Sequence, residues 1–209
     1  MIRIITIERE YGCGGAAIAK KVADELRWKL WDQLFTSEIA RLANCSKSQV
    51  EIREERVDPL YYRLFKSILL GSFEGSINLN NLKMLDADSI LRITQQVVET
   101  AAKDGNAVIV GRGSQQVLRD RDDTLRIFLY APSQAKIDRL KSEGIDERRA
   151  KELVETIDKD RGHFVEKYFN IKWPDRSTYH AMLNTTTGED ATVRMILDLK
   201  SALDPVPAH

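Results

Sequence analysis

The chain has 209 residues, 43% hydrophobic and 31% charged, and its 32 basic and 32 acidic residues balance. This composition predicts a globular protein with one domain and a smaller insertion. The balanced charge gives no indication of nucleic acid or a membrane as a partner, and no apolar stretch approaches the eighteen residues of a transmembrane span. Because the N-terminus lacks the basic segment of a signal peptide, we expect a cytoplasmic protein.

The chain opens with a predicted strand, a glycine-rich loop and a helix. Isoleucines dominate residues 2–7, as in a strand buried on both faces of a parallel sheet. Gly12, Gly14 and Gly15 follow, and glycine backbone can adopt positive φ and approach a ligand closely. Apolar side chains over residues 18–26 then recur at helical spacing, so a helix would begin where its free N–H groups favour an anion. A tight turn that only solves a packing problem is the alternative interpretation.

The loop departs from the phosphate-binding motif G-x-x-x-x-G-K-[ST]. If Gly14 is the second glycine, Arg9 stands at the first glycine, Gly15 at the lysine and Ala16 at the hydroxyl residue. The loop therefore keeps a backbone cradle but lacks both the lysine that reaches the terminal phosphates and the hydroxyl that holds magnesium.

Arg9 is our candidate to replace that lysine, since a guanidinium can pair with phosphate from another direction. An ion pair with Glu8, Glu10 or Asp32 is the alternative, and both interpretations are open. Lys20 lies one turn along the helix and is expected to face solvent.

The two cysteines, Cys13 and Cys45, have no metal-binding spacing and predict no disulfide framework. Cys13 lies at the helix start, where the pKa of a thiol can fall, although a small residue filling a tight loop is the simpler interpretation. No metal-binding site is predicted.

The next segment predicts a short strand over 28–31 that ends at Asp32. An acidic residue at this point lies on the edge where α/β sheets bind ligands, with a helix or turn cap as the alternative. Helical patterns over 36–46 and 60–69 then predict a helical insertion. The Gly-, Ser- and Asn-rich residues 71–81 indicate a loop suited to a substrate flap, or plain surface disorder.

The second half of the chain alternates helices and strands. In order, the predicted elements are a helix capped by Asp86 and ending near 104, strands over 107–110 and 125–130, a helix capped by Ser133, a helix from near Asp146, a strand over 179–184, and a last helix with a capping-box-like start at Thr187 and Asp190. This alternation predicts one three-layer α/β domain with a parallel sheet and a ligand at the carboxyl edge of its strands.

Two charged stretches of this half are candidates for function. Arg112 stands between Gly111 and Gly113 at the end of a predicted strand, which suits bidentate contact with phosphate or carboxylate better than a surface salt bridge. Residues 147–168 mix both signs of charge, as expected of a solvated helix with i,i+4 pairs, and a kinase lid would show a similar pattern.

Together these motifs resemble the cytidylate kinase-like family, which comprises P-loop relatives of bacterial cytidylate kinase. The shared motifs are ITIEREYGCGG followed by IAKKVA, the strand end Trp31-Asp32, VIVGRG at 108–113, LRIFLYAP at 125–132, DKDR at 158–161, and Tyr179 through Asn184-Thr185. They extend over nearly the whole chain in the family's order, and that order makes the resemblance more specific than any one motif.

The resemblance implies a P-loop NTPase-like, nucleoside-monophosphate kinase fold with a five-stranded parallel core. The core would comprise residues 1–35, 86–145 and 178–204. Residues 36–85 would form a helical insertion that binds the monophosphate, and residues 146–177 would form a lid.

Residue roles follow from the resemblance by position. The nucleotide-binding loop would comprise Gly12, Cys13, Gly14, Gly15 and Ala16. The catalytic arginines would be Arg9, proposed above on chemical grounds, with Arg112 and Arg161, and the acceptor side would be formed by Asp32, Arg112 and Asp160. The lid match is the loosest, because the family has several closely spaced arginines where this chain has Arg161 with Arg148 and Arg149 a few turns earlier.

The implied reaction is transfer of the γ-phosphoryl group of ATP to CMP, another nucleoside monophosphate or a small phosphorylated acceptor. Mg²⁺ would be held mainly through the nucleotide phosphates and water. A nucleotide-binding sensor or partner-binding module that lacks transfer activity is the alternative, favoured by the missing lysine and hydroxyl. The sequence does not determine the acceptor, the base preference or the oligomeric state.

Overall fold

The computed structural model describes residues 1–32, 38 and 87–204. Its strands are β1 (Ile4–Arg9), β2 (Lys29–Trp31), β3 (Ala107–Val110), β4 (Thr124–Tyr130) and β5 (Ala181–Asn184). They form one parallel sheet in the order β2-β3-β1-β4-β5, which confirms the predicted fold class. Since all strands run the same way, their carboxyl ends meet at one edge.

Helices cover both faces of this sheet. In the described ranges they are α1 (Gly15–Leu26), α2 (Ala87–Asp104), α3 (Ser114–Val117), α4 (Ser133–Ser142), α5 (Glu147–Phe169) and α6 (Glu189–Leu203). Side chains alternate along β1, so Ile5 and Ile7 join the core formed with α1 and α6, while Ile4 joins the core formed with α2. The result is the predicted three-layer arrangement, with β1 in the middle of the sheet.

Two predicted helix caps are wrong. Pro132, not Ser133, is the N-cap of α4: its carbonyl accepts the N–H of Lys136, and Ser133 is the first helical residue. At α6 the N-cap is Gly188 (φ 95°), and the hydroxyl of Thr187 donates to the carbonyl of Asn184 instead of capping the helix. In both places the hydroxyl residue has the right chemistry, but the preceding turn sets a different helix start.

The mixed-charge segment forms a single helix, α5, and the Asp146 side chain accepts the N–H of Arg149 as its N-cap. Its outer face carries the expected ion pairs, with Lys151 Nζ 2.7 Å from a Glu147 oxygen. Asp160 and Arg161 are instead buried, each 3% exposed. One side of α5 therefore buries ionisable side chains against the protein, whereas a solvated helix would expose them to water.

Several predictions lie outside the described residues: the Asp86 cap, the helical patterns over 36–46 and 60–69, and the loop over 71–81.

Lys20 is exposed and pairs with Asp24, as expected. None of the described helices combines the length and the apolar character that crossing a membrane requires.

Candidate active site

The glycine loop joins β1 to α1 at the carboxyl edge of the sheet. Gly12 (φ 77°) and Gly14 (φ 79°) adopt the left-handed conformation that the sequence predicts. No described side chain caps α1, and its first turn, which includes Ala16, contains no acidic residue. The main-chain N–H groups of this turn therefore meet no local carboxylate, and the site fits an anion.

Position 15 requires glycine for a steric reason and not for its backbone conformation. It is the first residue of α1 and does not take positive φ. A Cβ atom there would lie 2.9 Å from Cβ and Cγ of Arg9, closer than real contacts allow. Gly15 thus lets the Arg9 side chain pass over the start of the helix.

Cys13 is a packing residue. It is buried in the core beside α1, and its Sγ donates to the carbonyl of Leu129 at 3.7 Å. Burial raises the pKa of its thiol to about 11, the opposite of an activated thiol at a helix start. This supports the simpler interpretation, in which Cys13 is a small residue that fills a tight loop.

Arg9 runs along the sheet edge from β1 towards β3. Its Nη1 lies 2.1 Å from the point where a Cβ atom of Gly111 would be, so a side chain at position 111 would displace the guanidinium. The same Nη1 lies 3.8 Å from Glu8 Oε1. Arg9 thus makes a loose ion pair with Glu8, one of the predicted alternatives, and is also directed to the strand end that carries Arg112.

Gly111, Arg112 and Gly113 all adopt positive φ, at 67°, 65° and 67°. A non-glycine residue held in this conformation costs about 1–3 kcal/mol. The tight turn leads from β3 into α3 and buries the Arg112 side chain to 3% exposure, which excludes a surface salt bridge. A Cβ atom on Gly113 would lie 2.6 Å from the Phe169 ring, so both glycines fix the path that presents Arg112.

Arg161 reaches the same place from α5. Its Nη1 donates to the main-chain carbonyl of Arg9 at 2.8 Å and lies 3.5 Å from Asp158 Oδ1. The guanidinium therefore contacts both the start of the glycine loop and the small cavity that the next residues enclose.

The three predicted catalytic arginines line one cavity, which we call the arginine cavity. Its lining residues are Glu8, Arg9, Arg112, Gly113, Arg161, Phe164 and Val165. Burial, and after it the positive charge of Arg9, lower the pKa of Arg112 to about 9 and that of Arg161 to about 10. Each remains charged at neutral pH, in surroundings that disfavour that charge. An anion would relieve this cost.

Asp32 and Asp160, the predicted acceptor-side carboxylates, are both buried. The negative charge of Asp32 opposes the lowering of the Arg112 pKa, which places it in the electrostatic surroundings of the arginine cavity. Asp160 immediately precedes Arg161 on α5. Their contact with an acceptor stays a prediction.

Four ionisable residues that the sequence did not single out as site residues lie at the glycine loop or in the cavity beside it. Asp158 Oδ1 accepts the N–H of Tyr11 at 2.7 Å. Lys136 Nζ bridges Glu10 at 2.9 Å and Asp158 Oδ2 at 3.0 Å. Glu8, the fourth, lies in the arginine cavity. Helical spacing in the sequence could have identified two of these residues. Asp158 is one helical turn before Arg161, and Lys136 lies on the buried face of α4 one turn before Leu140.

Arg139 of α4 lies over the glycine loop. A Cβ atom on Gly14 would come within 2.6 Å of its guanidinium carbon. The guanidinium pairs with Glu189 at the start of α6 and lies 3.5 Å from Glu143. Arg139 therefore adds a further cation at the loop.

The described residues contain no group of three or more His, Cys, Asp or Glu side chains able to hold a metal ion.

The fold has clear relatives among solved structures. An uncharacterized protein from Eubacterium ventriosum ATCC 27560 is 23% identical with a TM-score of 0.68, covering 97% of this chain and 99% of that one. A gluconokinase from Sinorhizobium meliloti 1021 is 12% identical with a TM-score of 0.55, covering 95% and 91%. Shikimate kinase from Acinetobacter baumannii, solved with shikimate, is 13% identical with a TM-score of 0.51, covering 97% and 94%. At these identities the likeness shows a shared P-loop kinase fold.

Family comparison covers most of the chain. None of the curated proteins matches it. The cytidylate kinase-like family, however, matches residues 4–187, a range that includes the glycine loop, the Gly-Arg-Gly turn and Arg161. The chain therefore belongs to the cytidylate kinase-like family.

Proposed function

We propose that this chain is an ATP-dependent phosphotransferase whose acceptor is a small molecule, with CMP or another nucleoside monophosphate as the first candidates. The observation that carries the proposal is the convergence of Arg9, Arg112 and Arg161 on one cavity beside the glycine loop. Membership of a kinase-like family and the P-loop kinase fold support it. A structural scaffold has no need of three buried guanidiniums in one place.

The glycine loop suits the phosphates of the nucleotide. Two left-handed glycines expose main-chain N–H groups at the start of a twelve-residue helix without a competing carboxylate in its first turn. Arg139 adds positive charge over Gly14. Magnesium bound to the nucleotide would supply further neutralisation of the phosphate charge, as in other phosphotransferases.

The arginines compensate for the missing lysine. Phosphoryl transfer depends on positioning and on positive charge around the transferred group, and loss of one well-placed donor commonly costs about a hundredfold to a thousandfold in rate. Arg161 contacts the loop backbone and the cavity at once, so α5 brings charge to the transferred group from the lid side. Asp32 and Asp160 would orient the acceptor.

The domain roles belong to the same proposal. Residues 36–85 would bind the acceptor as an insertion, and residues 146–177 would act as a lid. Asp158 and Arg161 both contact the main chain of the glycine loop, through Tyr11 and Arg9. A lid that contacts the loop in this way would couple closure of the lid to placement of the nucleotide on the loop.

The second candidate function is a nucleotide-binding module without transfer activity. Two observations favour it: the loop has neither the lysine nor the hydroxyl of the motif, and the Arg139 guanidinium, paired with Glu189, lies where a ligand would approach Gly14. Such a module would bind nucleotide and change its contacts with a partner without forming ADP.

Acceptor-dependent ADP formation separates the two functions. We expect purified protein with ATP and magnesium to form ADP faster when a nucleoside monophosphate is added, with CMP the first acceptor to test. A coupled assay measures the rate of ADP formation, and calorimetric titration with a non-hydrolysable ATP analogue provides the control for nucleotide binding. Saturable nucleotide binding without turnover for any acceptor would favour the module.

A further inference from the structure

The three residues before Gly12, which we call the loop entrance, are contacted on their main chain by one turn of α5. The carbonyl of Arg9 accepts a hydrogen bond from Arg161 Nη1 at 2.8 Å. The main-chain N–H of Tyr11 donates to Asp158 Oδ1 at 2.7 Å. These two α5 residues are one helical turn apart, so they face the loop entrance together. Their bonds to its main chain fix the direction in which the chain enters the glycine loop.

Lys136 of α4 connects the remaining residue of the loop entrance, Glu10, to the same turn of α5. Its Nζ donates to Glu10 Oε2 at 2.9 Å and to Asp158 Oδ2 at 3.0 Å. Asp158 thus uses one oxygen for the main chain of Tyr11 and the other for Lys136. A continuous network of hydrogen bonds therefore runs from α4 through Asp158 to the main chain of the loop entrance.

The network is largely buried and charged. The side chain of Lys136 is 7% exposed and that of Asp158 is 15% exposed. Burial opposes the charge of the lysine, but the carboxylates of Asp158 and Glu10 outweigh burial and raise the pKa of Lys136 above its ordinary value. Removing one member of such a buried pair leaves the charge of the remaining members with less compensation. Each member therefore contributes to holding the others in place.

The glycine loop also packs directly on α4. A Cβ atom on Gly12 would lie 3.2 Å from Cβ and 3.3 Å from the carbonyl oxygen of Lys136. Tyr11 packs against an apolar cluster shared by α4 and α5, formed by Ile137, Leu140, Ala150 and Val154. Because both the main chain and the side chain of Lys136 contact this segment, a displacement of the lysine would displace the loop with it.

We propose that Lys136 and Asp158 are positioning residues of the nucleotide site, which set the direction in which residues 12–16 present their main-chain N–H groups to the phosphates of a nucleoside triphosphate. This role rests on the proposed function, which supplies the ligand, and deepens it by naming residues that act through the loop. A loop without the lysine of the motif relies on its main-chain donors, and a hydrogen bond weakens steeply when the N–H points away from its acceptor.

Calorimetric titration of Lys136→Met with a non-hydrolysable ATP analogue, well below the melting temperature, tests the proposal. We expect its affinity to be about tenfold or more below that of the wild type, a change of about 1.4 kcal/mol. Lys141→Met is the matched control, because Lys141 is another α4 lysine that pairs with a carboxylate of α5, Glu147, at 2.9 Å. That pair contains no residue of the loop entrance, so the control should bind the analogue as the wild type does.

Variants of Asp158 separate the two contacts of its carboxylate. Asp158→Asn keeps an oxygen for the N–H of Tyr11 and removes the charge that pairs with Lys136, whereas Asp158→Leu removes both. We expect both to bind the analogue more weakly than the wild type, and Leu more weakly than Asn. Lys136→Arg, which keeps the positive charge, should bind more tightly than Lys136→Met. If Lys136→Met does not fold, the comparison of Asp158→Asn with the wild type decides the question.

Amide hydrogen exchange gives a readout that needs no ligand. We expect the amides of residues 9–16 to exchange faster in Lys136→Met than in Lys141→Met, because the loop entrance loses part of its support. In the ADP assay the KM for ATP should rise while kcat changes little, as when an interaction shared by ground state and transition state is lost. A role in folding alone would lower the melting temperature without changing either quantity.

The outcomes separate this role from the proposed function. Wild-type affinity in Lys136→Met, Asp158→Asn and Asp158→Leu alike would overturn the positioning role and leave the proposed function standing. A lower melting temperature with unchanged affinity and unchanged exchange over residues 9–16 would overturn it as well. If the wild type itself does not bind the analogue, the proposed function and the positioning role are both wrong.

Discussion

Replacing Arg112 with methionine should lower the rate of phosphoryl transfer by about a hundredfold to a thousandfold, the usual cost of losing one donor to a developing oxyanion. The melting temperature should stay nearly the same, because relief of the buried charge offsets the contacts that the guanidinium loses. Arg112 is 3% exposed, and burial together with the charge of Arg9 lowers its pKa to about 9, so the folded state disfavours the charged guanidinium. Methionine fills a similar volume without that charge.

The sign of this stability effect follows from proton linkage. Because the folded-state pKa lies below the ordinary value, the penalty is fully present at neutral pH and falls as pH rises above about 9, where only the folded state releases the proton. Differential scanning calorimetry at pH 7 measures the change, and Arg119→Met, at an exposed arginine, is the matched control. A large drop in melting temperature with activity retained would show that Arg112 is structural.

Replacing Arg161 with methionine should reduce both activity and stability. Its Nη1 donates to the Arg9 carbonyl at 2.8 Å and lies 3.5 Å from Asp158, so the variant leaves a buried acceptor unsatisfied. That loss costs about 1–3 kcal/mol, which for a protein of this size lowers the melting temperature by about 2–12 °C. The rate should fall at least as far as in Arg112→Met, because the glycine loop also loses a support.

Arg148→Met is the control for this variant, since Arg148 is exposed on the same helix. Thermal unfolding and the ADP assay are measured on both proteins. An Arg161→Met protein with unchanged melting temperature and full activity would show that the contact between α5 and the loop is needed for neither stability nor activity.

The parallel sheet and the convergence at its edge were predictable from sequence for a simple reason. Buried strands of isoleucine and valine, each followed by helical spacing, require parallel pairing, and parallel pairing brings the ends of β1 and β3 together. Arg9 is the last residue of β1, and Arg112 lies two residues after the end of β3. Their meeting is therefore a consequence of strand order that needs no knowledge of side-chain packing.

What the sequence did not predict depends on how α4 and α5 dock against the loop. Lys136, Asp158 and Glu10 are distant in sequence, and their contacts exist only because both helices pack over residues 10–12. Local patterns also failed at Ser133 and Thr187, where the preceding turn determines the helix start. The burial of Glu8 was not predicted, because a lone acidic residue next to Arg9 has the pattern of an ordinary surface ion pair.

Discrimination between ADP and a non-hydrolysable ATP analogue tests most directly whether the converging guanidiniums replace the missing lysine. Calorimetric titrations of wild type and Arg112→Met, at one pH and ionic strength, measure both affinities. We expect the wild type to bind the triphosphate at least about tenfold more tightly than ADP, because charge-assisted bonds to the terminal phosphate are strong, and the variant to bind the two alike. Equal affinity of the wild type for both nucleotides would contradict a terminal-phosphate site at these arginines.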